Sequence, residues 1–211
     1  MPKRFQESKL FQNSMQMALE KYFGNETPVK AEWPSFLRQK NIYSPRVDIA
    51  VGPFSTEDDT SLSSRYNSMA NTYSNLIDGL IDKFRSNLDE FRRANRASLP
   101  LGEIPSDHAF FGKKSFNDNA RCFIAIEIER SGSKKHMLGD IVNSSSLGRI
   151  GLIVAWDAKR LKSFLRMLEY WNFLKSKGKP SFDSRNVLVI TKDQLVASLQ
   201  KSNTSRMRTG L

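Results

Sequence analysis

The chain has 211 residues, with 33 Lys and Arg against 22 Asp and Glu and a formal net charge of +11. It is 39% hydrophobic, with neither a Gly-X-Y period nor a long Pro/Ser/Gln tract, which excludes a collagen-like or broadly disordered protein. One cysteine and two histidines exclude a disulfide framework and a Cys- or His-based zinc site.

From the N-terminus, residues 5–23 form the first expected helix, with Phe11, Met15, Ala18, Leu19 and Tyr22 at three- and four-residue steps and Gly24-Asn25 to end it. No apolar run follows the basic start Met1-Pro2-Lys3-Arg4, so no signal peptide is expected. A loop with Pro28 and Pro34 leads to an alternating strand over 46–51, stopped by Gly52-Pro53. Glu57, Asp58 and Asp59 open a long helix or helical hairpin. Its apolar seam, Leu62, Tyr66, Met69, Tyr73, Leu76 and Leu80, then Phe84, Leu88 and Phe91, fits a homodimer interface over 62–91 or, more commonly, a helix on its own core. After a loop over 98–119, strands are expected at 121–129, 150–155 and 186–190, and helices at 134–147, 161–174 and 192–200. The alternation predicts an α/β fold with a largely parallel sheet. Residues 1–201 read as one domain in which 57–119 is a helical and loop insertion, and 202–211 as a flexible basic tail. The longest apolar run, 122–126, is too short to span a bilayer, and a reducing cytoplasm suits a chain without disulfides.

The chemistry concentrates in Phe123-Ile124-Ala125-Ile126-Glu127-Ile128-Glu129. Alternate side chains of a strand share a face, so Ile124, Ile126 and Ile128 anchor one side while Glu127 and Glu129 project together from the other. In 46–51, Asp48 and Ala50 share a face in the same way. If the acidic faces align, Asp48, Glu127 and Glu129 converge beside the small Ala50 and Ala125. Adjacent like charges require a proton, a cation or a basic partner. Three carboxylates form a hard-oxygen site suited to Mg²⁺ or Mn²⁺. Polar residues on a solvated edge strand would give the same alternation. The small-residue turn that follows, Arg130-Ser131-Gly132-Ser133, leads directly to a helix N-terminus carrying Lys134, Lys135 and His136, all able to meet a phosphate.

These residues resemble the PD-(D/E)XK nuclease superfamily, in the variant with Glu in place of the usual lysine. The resemblance covers residues 5–24, 45–53 and 120–190, and implies a restriction-endonuclease-like core: a mixed central sheet flanked by helices, here with a long helical insertion. It implies that Asp48, Glu127 and Glu129 bind Mg²⁺ or Mn²⁺, with Glu20 on the first helix as an extra acid. It further implies metal-assisted hydrolysis of DNA phosphodiester bonds, as in a type II restriction enzyme, with Glu129 orienting or deprotonating water. The family lysine is missing at 129; Lys134 or, as the catalytic candidate, Lys135 would have to replace it. The two motif acids also stand further apart in the chain than is usual for the family.

Excess positive charge attracts polyanions, and DNA is the partner this reading names, although many proteins are basic for solubility alone. Lys113, Lys114, Lys134 and His136 are candidate nucleic-acid contacts, and Lys159, Arg160, Lys162 and Arg166 share a helix that could track phosphates; solvated charge explains each equally well. Gly112-Lys113-Lys114-Ser115 fails the Walker pattern, His108 reads as a surface residue, and Cys122 reads as core. The alternative function is a catalytically inactive protein of the same fold that binds nucleic acid or a partner protein.

Overall fold

The computed structural model describes residues 3–35, 45–55, 62–96, 116–179 and 183–209. Helix α1 (Lys3–Phe23) buries Met15, Leu19 and Tyr22 and ends at Gly24, whose φ of +75° is a left-handed conformation that glycine adopts without steric cost. Five strands form one sheet: β1 (Val29–Pro34), β2 (Arg46–Val51), β3 (Cys122–Glu129), β4 (Gly148–Ala155) and β5 (Val187–Thr191), in the spatial order β1-β2-β3-β4-β5. The first three pair antiparallel, and β3, β4 and β5 pair parallel. Parallel neighbours need a crossover, and α4 (Lys134–Leu147) and α5 (Ala158–Ser176) supply the two. Helices α2 (Leu62–Thr72) and α3 (Ser74–Asn95) lie in the chain between β2 and β3. Helix α6 (Lys192–Thr209) follows β5 and packs on α3 and α1. The protein is therefore mixed α/β, a five-stranded mixed sheet flanked by helices. No helix among the described residues is long and apolar enough to cross a membrane.

Three elements differ from expectation. Residues 29–34 form a strand rather than a loop. The strand pairs on one side only, alternates in burial and ends in Pro34, a position where a proline removes no ladder bond. The long helix breaks at Tyr73, which lies between α2 and α3, buries its ring against Tyr22 and Phe23, and donates its hydroxyl to the Phe23 carbonyl at 3.1 Å. The last helix continues to Thr209, so the expected flexible tail from 202 is helical over most of its length.

The seam of α2 and α3 faces the molecule's own core. Leu62, Tyr66, Tyr73, Leu76, Leu80, Phe84, Leu88 and Phe91 are all buried in one cluster with β3, β4 and β5, so this face is not free to form a homodimer. Ile77→Val, fully buried beside the seam, is expected to cost about 1 kcal/mol in denaturant unfolding without altering oligomeric state. Unfolding that depended on protein concentration would contradict that assignment.

Candidate functional site

Register brings the strand acids together. Ile49 lies opposite Ile126 and Ala50 opposite Ala125, so the next step toward the end of the pair sets Asp48 against Glu127, 79 residues away in sequence. Asp48 Oδ2 accepts the Ile128 N–H at 2.7 Å, and the Asp48 N–H donates to Glu127 Oε2 at 3.3 Å. The two carboxylates are thus locked reciprocally across β2 and β3. The alanines leave no opening beside them: both are fully buried, in a small cluster with Trp33 and Leu147.

Glu129, 8% exposed, ends β3 with its carboxylate turned onto the chain that follows. Its Oε1 accepts the N–H of Ser131 at 2.5 Å and also that of Gly132. Gly132 is required by this fold-back, because an added Cβ would collide with the Glu129 carboxylate and stand 2.9 Å from the His136 Cβ. Gly132→Ala should therefore break the two amide contacts and lower stability by about 2 kcal/mol, read from the thermal midpoint. An unchanged midpoint would mean that Glu129 can rotate away freely.

Helix α4 supplies two groups that sequence reasoning missed. Asn143 donates to Glu127 Oε1 at 3.4 Å and to the Arg46 carbonyl at 3.5 Å. Asp140, one turn earlier on the same face, hydrogen-bonds Glu129. Burial, then the charges of Glu129 and Asp48, then that bond push the Asp140 carboxyl up to about 8. Asp48 is pushed up to about 6, chiefly by burial and against the Ile128 N–H. Glu127, 6% exposed, is raised well above the ordinary range by burial first and then by the charges of Asp48 and Asp140. Four acids share one partly dry site, and burial and mutual repulsion favour the protonated forms of Asp48, Glu127 and Asp140.

Helix α1 and β1 close one side. Gln12 donates to the Asp48 carbonyl at 2.6 Å and to Glu32 at 3.1 Å, while Lys9 contacts Glu32 at 3.3 Å. Glu32 has a φ of +49°, in the left-handed region that costs non-glycine residues, and it interrupts the β1–β2 register opposite Asp48. Glu20 lies elsewhere: it is exposed, its carboxylate accepts from Gln16 at 2.9 Å, and it bonds to none of the acids above.

Ser133 caps α4 by accepting the His136 N–H, and Lys134, Lys135 and His136 are exposed around that end. Neither Lys134 nor Lys135 bonds to an acid of the cluster, so among the described residues neither candidate replaces the lysine missing at 129. Lys113, Lys114 and His108 lie outside the described residues. Cys122 is fully buried, and burial pushes its thiol up, as a core residue requires. A groove of about 600 Å³ between α3 and α6, lined by Asp78, Asp82, Lys83, Gln194, Ser198 and Lys201, contains no candidate site residue.

The donor set of Asp48, Glu127, Glu129 and Asp140 is all carboxylate oxygen, which matches Mg²⁺ or Mn²⁺ in chemical type. Its present arrangement is not that of a metal centre. Among the described residues, no three His, Cys, Asp or Glu side chains are disposed to hold a metal ion. An amide N–H engages each of Asp48, Glu127 and Glu129. Comparison with known proteins finds no family model that matches the chain, no match among curated proteins and none among solved structures.

Proposed function

We propose that the protein is a metal-dependent endonuclease that hydrolyses DNA phosphodiester bonds, on a core of the restriction-endonuclease-like kind. The observation that carries this reading is the convergence of Asp48 and Glu127 from adjacent antiparallel strands, with Glu129 two residues on and the turn into α4 beside it. The order of elements around α2 and α3 supports it: a helix, three antiparallel strands of which the second and third bear the acids, a helix and a parallel strand.

Asp48, Glu127 and Glu129 would hold the cation, with Asp140 as a fourth carboxylate. A bound Mg²⁺ or Mn²⁺ polarises a phosphate and lowers the pKa of water. The chain's own groups have separate tasks. The Asn143 amide and the Asp48 N–H fix the orientation of Glu127. The Ser131 and Gly132 amides hold Glu129, the group suited to orient or deprotonate water. Asp140, at about 8, holds a proton against Glu129 at neutral pH. The exposed Lys134 and Lys135 at the α4 N-terminus are suited to meet the substrate's phosphates.

One observation favours a second reading, a nuclease-fold protein that binds nucleic acid without cutting it: among the described residues no lysine bonds to Asp48, Glu127, Glu129 or Asp140. Supercoiled plasmid and linear duplex, incubated with Mg²⁺, Mn²⁺ or EDTA, separate the two. Metal-dependent nicking or discrete fragments, lost in EDTA, support the endonuclease. Retention of duplex without cleavage under either metal favours the binding protein.

A further inference from the structure

Helix α5 begins at the edge of the acid cluster and runs away from it. The Trp156 N–H donates to the Glu129 carbonyl at 3.0 Å, Asp157 caps the helix by accepting the Arg160 N–H at 2.8 Å, and Arg160 Nε donates to the Arg130 carbonyl at 3.1 Å. The Arg130 guanidinium lies over the Trp156 ring, 4.5 Å from its centroid.

The outward face of this helix is unusual in its charge. Lys159, Lys162, Arg166 and Tyr170 are exposed and stand three, four and four residues apart, on one side of the helix. They span about 16 Å at 1.5 Å per residue. No described acid pairs with any of the three cations. Lys175 differs, since it contacts Asp183 at 3.2 Å. The helix has one acid, Glu169, which is 1% exposed and bound to Arg92 at 2.8 Å, so it does not offset the outer face. Tyr170 remains 55% exposed, an aromatic with a hydroxyl at the far end of the cationic row.

A row of cations that no described acid pairs, continuous with an acid site, matches a linear polyanion in charge and in shape. We propose that the outer face of α5 is a backbone-binding track for duplex DNA flanking the cleaved bond. Lys159, Lys162 and Arg166 neutralise successive phosphates and the Tyr170 hydroxyl contacts a further one. The assignment of the polyanion as DNA rests on the endonuclease reading; the track itself rests on the charge and exposure of α5.

The test is binding of a labelled duplex several helical turns long, measured in EDTA so that cleavage plays no part. Wild type is compared with the K159Q/K162Q/R166Q variant and with E127Q. Each phosphate contact contributes about 0.9 to the slope of log affinity against log salt, so the triple variant should lose between about two and three units of slope. Between 50 and 200 mM salt, wild type should then lose about forty-fold more affinity than the variant. The substitutions are on the surface, so an unchanged melting midpoint confirms folding. Equal affinity and equal slope in wild type and variant would overturn the track, even if wild type cuts DNA with Mg²⁺. The expected slope loss in a wild type that cuts nothing would uphold the track and remove the nuclease. Binding of anionic lipid vesicles with none of duplex would overturn the track in favour of a lipid surface.

Discussion

Glu127→Gln is expected to lower metal-dependent DNA cleavage by about three orders of magnitude, the scale of removing one preorganised charged group from a reaction centre. The substitution isolates charge from shape. Glutamine has nearly the same volume, and its Oε1 can still accept the Asp48 N–H, at the loss of the bond that Asn143 donates to the second oxygen. The fold should survive and gain stability at pH 8, because a Glu127 that is 6% exposed costs stability either way: it ionises against Asp48 and Asp140, or it holds a proton that the unfolded chain releases. Cleavage is read from plasmid nicking and folding from the melting midpoint, so loss of activity cannot be confused with loss of structure. Activity retained within tenfold would remove Glu127 from the chemistry and the endonuclease reading with it. Gain of stability with loss of activity is the pattern of a site that tolerates repulsion for its function.

The parts of the molecule legible in the sequence are those where one local pattern decides the outcome. Strand β2 and helix α4 form over the expected residues because alternation ending at Gly52-Pro53, and a Ser133 cap with Gly148 after it, leave little choice. The meeting of Asp48 with Glu127 follows from period-two alternation in two strands once they pair antiparallel. Strand β1 was hidden because it is short, lies between Pro28 and Pro34 and is kinked at Glu32, features that read as a loop. Asp140 and Asn143 were hidden for a different reason. Their role depends on which face of α4 turns toward β3, and the apolar residues Met137 and Ile141 mark the core face without saying that its flank lies over the acids. The signal that could have found them was the three-residue step from Asp140 to Asn143, directly after a turn leaving an acidic strand. Glu20 shows the converse. Its helix was read well, but an acid on a correctly read helix can face solvent, while Gln12, two turns earlier, is the residue that reaches Asp48.

The metal-free protein should melt at a lower temperature as pH rises from about 4 to 8, the reverse of ordinary acid denaturation. Asp48 at about 6 and Asp140 at about 8 hold protons in the folded state that the unfolded chain releases near pH 4. Across that window the native state binds more protons than the unfolded state, so the unfolding free energy falls with pH. Below the unfolded value neither group costs anything. The cost grows above it and is complete once pH passes the folded value. Asp48 alone, raised by about two units, is worth roughly 3 kcal/mol at 1.4 kcal/mol per unit, or roughly 10 °C in a chain of this size. Asp183 has the opposite sign, since Arg185 holds its carboxyl below the usual range and the stability it adds is lost on acidification below about 4. It is half exposed and contributes little. Melting scans at closely spaced pH values read the slope directly, and Asp140→Asn should reduce it above pH 6, where Asp140 is still to ionise beside the raised Glu127. Mg²⁺ or Mn²⁺ should raise the midpoint more at pH 8 than at pH 5, with EDTA reversing the gain, because a cation competes with protons for the same oxygens. A midpoint that climbs steadily to pH 8, or an Asp140→Asn slope equal to wild type, would mean that these carboxyls ionise as if in water. The cluster would then have no charge deficit for a cation to fill.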